Sequence, residues 1–180
     1  MASPLNFLFV CTGNSARSIL GEALSTTLSN GRLRGYSAGS HPGGRVNPFA
    51  AELCAGMNYP QENLRSKSWD EFSGNVTPGA PEMDLIVTVC DNAAGEACPV
   101  WLGHPATAHW GLPDPAAVTG SDADKRAAFA AIRDAMAKRI EMLLALPVES
   151  MTDAERRAAL RCIGETPVLD PNLEKLFSAQ

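Results

Sequence analysis

Short apolar runs alternate with amphipathic stretches along this chain. Asn6 to Val10 is apolar with aromatic and β-branched content, between Pro4 and a loop containing Gly, Asn and Ser. That pattern predicts a buried strand. From Ser15 to about Leu28 the apolar positions are Ile19, Leu20, Ala23, Leu24 and Leu28, one face of a helix. A second short strand is expected near Gly35 to Ala38, followed by a loop at Pro42-Gly43-Gly44. Asn47-Pro48 is a helix start, with Asn as cap and Pro in the first turn; Phe49, Leu53 and Met57 follow on one face. Ser68 with Glu71 has capping-box spacing and opens a short helix over Trp69 to Phe72. Asp84 to Val89 is the clearest strand and runs into Cys90, as the first runs into Cys11. Ala106 to His109 is expected as a fourth. Ser121 or Asp122 caps a long helix to about Leu146, with Phe129, Ile132, Met136, Ile140 and Leu143 on its inner face and Pro147 stopping it. Thr152 with Glu155 opens a further helix to Ile163, ended by Gly164. The tail after Pro167 reads as irregular. Alternation of strands and helices predicts an α/β fold with a parallel sheet covered on both faces.

Composition narrows the class. The chain has 180 residues, 45% apolar and 19% charged, an ordinary globular balance that excludes wholesale disorder. A net charge of −5 argues against a general nucleic-acid binder. No basic segment precedes the first apolar run, and no run approaches the ~20 residues needed to span a bilayer. The expectation is a cytoplasmic protein that engages neither membrane nor nucleic acid. The five cysteines, Cys11, Cys54, Cys90, Cys98 and Cys162, are odd in number and unevenly spaced, which is no structural disulfide framework. In a reducing compartment such thiols point to chemistry or simple burial.

The segment Cys11-Thr12-Gly13-Asn14-Ser15-Ala16-Arg17-Ser18 lies between a strand and a helix. Unpaired backbone N–H groups and the positive end of the helix dipole make that junction a cradle for a tetrahedral oxyanion. Gly13 admits close approach of the ligand, and Arg17 can grip two oxygens in a fork. A thiol at the head of the loop should ionise well below the free value of ~8.5, with Ser18 able to hydrogen-bond the thiolate. Cys-x5-Arg alone is a loose pattern; its place between strand and helix is what sharpens it.

Cys11 to Ser18 resembles the oxyanion loop of the low-molecular-weight protein tyrosine phosphatase family. The resemblance extends to Ser37-Ala38-Gly39, the strand before Cys90, and Asp114-Pro115, and covers about residues 5 to 146. It implies a four-stranded parallel sheet flanked by helices. Cys11 would be the nucleophile, Arg17 the oxyanion clamp and Asp114 the general acid on a mobile loop. Residues 1–148 would form the family domain and 149–180 a C-terminal helical extension packed on it. On the residues alone, Asp114 in Gly111-Leu-Pro-Asp-Pro115 reads only as a turn.

The family contains phosphatases and arsenate reductases, and three features favour the second. Pro115 is followed by Ala116, Ala117 and Val118, where the phosphatases carry aromatic residues that sandwich a substrate ring. The stretch from Val89 to Pro99, with Cys90 and Cys98, resembles the redox segment of thioredoxin-coupled arsenate reductases, with a slightly longer spacing. His109-Trp110-Gly111 resembles that branch too. Arsenate, with phosphate or sulfate as analogues, would bind the loop. Cys11 would attack arsenic, Cys90 would attack Cys11, and Cys98 would draw off the disulfide for thioredoxin or glutaredoxin to reduce. The alternative is a phosphatase acting through a Cys11 phosphoenzyme; a third reading is an oxyanion binder with an inert Cys11.

No organic cofactor is expected. No metal is expected either: Asn14, Glu22 and Ser37 match positions that hold a potassium ion in some of these reductases, and that ion is the alternative to a reading in which Asn14 and Ser37 hydrogen-bond to each other and Glu22 is solvated. Cys90, Cys98, His104 and His109 are wrongly spaced for a compact zinc site. Cys54 and Cys162 read as structural, and Trp69, Trp101 and Trp110 as packing residues, Trp110 near the Asp114 loop.

Overall fold

The computed structural model describes residues 2–90, 95, 101 and 103–178. Its sheet has four parallel strands in the order β2-β1-β3-β4: β1 (Leu5–Cys11), β2 (Leu33–Gly39), β3 (Leu85–Thr88) and β4 (Ala106–His109). Its α-helices include α1 (Arg17–Leu28), α2 (Pro48–Gly56), α3 (Asp122–Leu144) and α4 (Asp153–Glu165). The expected fold class is thus the observed one. Among the described residues no helix is long and apolar enough to cross a membrane.

β1 is interior to the sheet and apolar on both faces, as a strand in a sheet covered on both faces requires. Phe7 and Phe9 face α1 and stack beside Trp110, whose ring meets Phe7 edge-on at 5.5 Å. On the opposite face Val10, Ile86 and Thr107 lie beside Trp101, and Tyr36 meets Phe72 edge-on. Both faces are covered, but unequally. Among the described residues, the helices that touch the sheet lie on the Phe9 face, and Trp101 and the 3-10 turn Trp69–Phe72 lie on the other.

Local signals place the helix starts well. Asn47 caps α2 by accepting from Phe49 N, and Ser121 and Thr152 head complete capping boxes with Asp124 and Glu155. Three readings need correction. Glu71 does not complete a box with Ser68; its carboxylate pairs with Arg65, and Ser68 Oγ accepts from Asp70 N. Gly164 does not end the last helix, which runs to Glu165. A Cβ on Gly164 would lie 2.3 Å from the carbonyl oxygen of His109, so glycine serves the close approach of α4 to the end of β4. The tail contains a 3-10 turn, Glu174–Phe177, which buries Phe177. α4 packs against β4, and Trp110 Nε1 donates to Leu160 O at 2.8 Å.

Candidate active site

Parallel strands deliver their C-terminal ends to one edge of the sheet, where helix N-termini also gather. Cys11 closes β1, and α1 begins at Arg17. The loop between them is braced from outside. Ser40 N donates to Cys11 O (3.2 Å), His41 N to Thr12 O (2.9 Å), Gly43 N to Gly13 O (3.1 Å) and Asn47 N to Ser15 O (2.9 Å). In a trans peptide the carbonyl and the next N–H point opposite ways. Carbonyls turned outward at these four positions direct the N–H groups of Thr12, Gly13, Asn14 and Ala16 to the inner side. The stretch from Ser40 to Asn47, legible in the sequence only as loop and cap, is the outer ring that shapes the cradle.

Two residues hold the ring close. Gly39 pairs with Cys11, and a Cβ there would lie 2.5 Å from Thr12 O. Asn14 takes the left-handed conformation (φ 46°), which asparagine tolerates better than most residues. Its side chain is buried, with Nδ2 donating to Ser18 Oγ (2.9 Å) and Oδ1 accepting from Lys67 N (2.9 Å). Ser18 Oγ is the acceptor in its bond with Asn14, so that bond leaves the hydroxyl proton to be donated elsewhere. Gly13 has room around it: a Cβ there would find Ser15 Oγ, at 3.8 Å, as its nearest neighbour.

Arg17 and Asp114 meet at the mouth. Arg17 Nη1 donates to Leu112 O at 2.9 Å, and Nη2 stands 3.7 Å from Asp114 Oδ2. Arg17 Nε is buried and has no acceptor among the described residues, a donor left over for a bound oxyanion. Asp114 Oδ1 caps the 3-10 turn Pro115–Ala117 through Ala116 N, and its side chain is 41% exposed, open to a proton from solvent.

Cys90 arrives by strand register. Val10 pairs with Thr88 and Val89 N donates to Val10 O, so the residue after Val89 comes level with the oxyanion loop. Cys90 is buried, 3.4 Å from Thr12 Oγ1, with its thiol beside Cys11. That contact reverses an expectation. The neighbouring Cys90 thiol, and then burial, push the Cys11 thiol above its ordinary range, while Arg17 and the Thr12 N–H pull it down. The sequence displays the dipole and the arginine but not a second thiol packed against the first. Cys98 lies outside the described residues.

Asn14, Glu22 and Ser37 do converge beneath the loop, around a residue the sequence pattern does not single out. Lys67 Nζ lies 3.2 Å from Glu22 Oε2, 3.1 Å from Ser37 Oγ and 3.3 Å from Arg65 O. Ser37 Oγ and Tyr59 OH donate to the two oxygens of Glu22. The pair is sealed, each side chain 6% exposed. No local pattern announces Lys67 or Tyr59.

Of the other thiols, Cys54 is fully buried and burial pushes it up to about 12, in keeping with a packing role. Cys162 is exposed rather than structural, because it falls on the outer side of α4.

The sequence profile of the low molecular weight phosphotyrosine protein phosphatases matches residues 6–156. The chain belongs to that family. Within this phosphatase family it is similar to proteins named arsenate reductase. One from Halalkalibacterium halodurans is 34% identical over 133 residues, 74% of this chain and 90% of that protein. One from Bacillus subtilis is 33% identical over the same shares. The crystal structure of arsenate reductase from Archaeoglobus fulgidus superposes with a TM-score of 0.54 at 27% identity, covering 75% of this chain and 98% of that one.

Proposed function

We propose that this member of the family reduces arsenate to arsenite. The observation that carries the reading is the buried Cys90 thiol, brought beside Cys11 by the register of β3 on β1 and set 3.4 Å from Thr12 Oγ1. A phosphatase needs water at that place to hydrolyse its thiol adduct; a reductase needs a second thiol there. The relatives named arsenate reductase, and Ala116 and Ala117 exposed where a ring-stacking residue would stand, support the same choice.

The inward N–H groups and Arg17 hold arsenate as a tetrahedral dianion. The Cys11 sulfur attacks arsenic and gives up its thiol proton, a sulfur–arsenic bond forms, and hydroxide leaves as water with a proton from Asp114, which the thiol proton then restores. Cys90 thiolate then attacks Cys11 sulfur. The Cys11–Cys90 disulfide forms, the sulfur–arsenic bond breaks, and its electron pair stays on arsenic, now As(III). Two thiols are oxidised and arsenic takes up two electrons. Cys98 attacks Cys90 and frees Cys11, and an external dithiol of the thioredoxin or glutaredoxin class reduces the Cys90–Cys98 disulfide. Such a cycle belongs in a reducing, cytoplasmic environment.

Potassium has no role in this scheme. Lys67 Nζ already lies on the oxygens of Glu22 and Ser37, and a second cation there would meet its charge. The ammonium supplies the positive charge beneath the loop.

The test is arsenite production with a purified thioredoxin system. Cys11→Ser and Cys90→Ser should make no arsenite. Cys98→Ser should complete one turnover and stall with a Cys11–Cys90 disulfide. Variants at Cys54 and Cys162 should cycle normally. Arsenite formation by Cys90→Ser at the native rate would overturn the reading.

A further inference from the structure

Arg139 is the one arginine of α3 that is sealed in the protein, 5% exposed. Its Nη1 donates to Gly111 O and its Nη2 to Gly164 O, each at 3.1 Å. Neither acceptor is a carboxylate, and Nε has no acceptor among the described residues. Burial alone lowers its pKa to about 10. A guanidinium with no carboxylate partner among the described residues is an expensive way to join two carbonyls. Such a cost is tolerated where geometry matters more than stability.

The two carbonyls lie at the ends of one mechanical linkage. Gly111 opens the segment that leads to Asp114. Ahead of Asp114 that segment is gripped at the front by Arg17, through Leu112 O, and at the back by Arg139, through Gly111 O. Gly164 belongs to α4, and the family profile stops at residue 156, in the first turn of that helix. α4 also touches the two residues just ahead of that segment. Leu160 O accepts from Trp110 Nε1, and Gly164 lies so close that a Cβ would come 2.3 Å from His109 O and 2.9 Å from the Trp110 ring.

We propose that Arg139 is a positioning residue for the general acid, and that the C-terminal helix α4 is the backstop against which it sets the Asp114 segment. The inference rests on Asp114 being the proton donor of the proposed reaction. Arg139 itself touches no substrate. It fixes Gly111 relative to α4, so that Arg17 and Asp114 meet at a set distance. Displacing a catalytic group by about 1 Å costs on the order of 100-fold in rate.

The experiment is a double-mutant cycle on arsenate turnover by the full chain, with Asp114→Asn as the second site. Arg139→Met should lower kcat roughly 10- to 100-fold with little change in KM, since the oxyanion loop is untouched. Arg139→Lys, able to reach one carbonyl, should recover part of the loss. In the Asp114→Asn background, Arg139→Met should cost less than about 2-fold, because the group it positions is gone. If Arg139→Met does not fold, Gly164→Ala pushes α4 off the segment and is read in the same cycle. A loss in the Asp114→Asn background equal to that in the native chain sinks the inference while leaving Asp114 as the acid. Native activity in Asp114→Asn alone sinks the acid assignment and the inference with it.

Discussion

Replacing Lys67 with methionine should be among the most damaging single changes outside the oxyanion loop. The side chain keeps its length and loses its charge, leaving Glu22 buried with two hydroxyl donors and no cation. At the observed 3.2 Å, the ion pair is worth about 5 kcal/mol with an effective dielectric of about 20. Both side chains are only 6% exposed, so solvent screens little of this. Part of it offsets desolvation, and breaking one side of such a pair costs about 3–5 kcal/mol. For a chain of this size that is roughly 6–20 °C in Tm. Thermal unfolding at neutral pH reads it directly. Glu22→Gln combined with Lys67→Met should recover a large part of the loss, because no unpaired charge then remains. Arsenate turnover by the native protein should be the same in potassium and sodium chloride at matched ionic strength. A Lys67→Met variant within about 1 kcal/mol of the native stability would refute the charge argument. Potassium-specific activation of the native protein would refute the ammonium as the resident cation.

Two further outcomes follow from the ionisable groups. Cys90→Ala removes the leading cause of the raised Cys11 pKa, so the iodoacetamide reactivity of Cys11 should reach half-maximum at lower pH than in the native protein; an unchanged midpoint would show that burial alone sets it. Glu149 is held at about 2, from an ordinary 4.5, chiefly by Arg32, whose Nη2 lies 2.9 Å from its carboxylate while also bonding Leu146 O at the end of α3. A folded-state pKa below the unfolded one contributes stability that is fully present above the unfolded value and lost as pH falls through the folded one. The Tm gap between the native chain and Glu149→Gln should therefore be constant above pH 4.5 and close as pH falls toward about 2; a gap that persists at the acid end would count against the pairing.

What the sequence determined by itself is local. The cap at Asn47-Pro48, the boxes at Ser121 and Thr152, and the apolar runs at Phe7 and Leu85 each act within a turn or a strand, so neighbours in the chain suffice to read them. The oxyanion loop is legible for the same reason: Cys11, Arg17 and the start of α1 lie within one short stretch. Tertiary structure decided everything that depends on what comes alongside. Gly164 carries the mark of a helix stop, yet its missing Cβ is needed by a strand far back in the chain. Lys67 has no motif, and becomes the cation under the loop because β2 and α1 bring Ser37 and Glu22 to it. The dipole and Arg17 predicted an acidic Cys11, and the strand register that docks Cys90 against it reversed the direction. Burial is the common cause. It lowers the local dielectric and strips away water, so a thiol, an ammonium or a guanidinium answers to whichever neighbours the fold supplies.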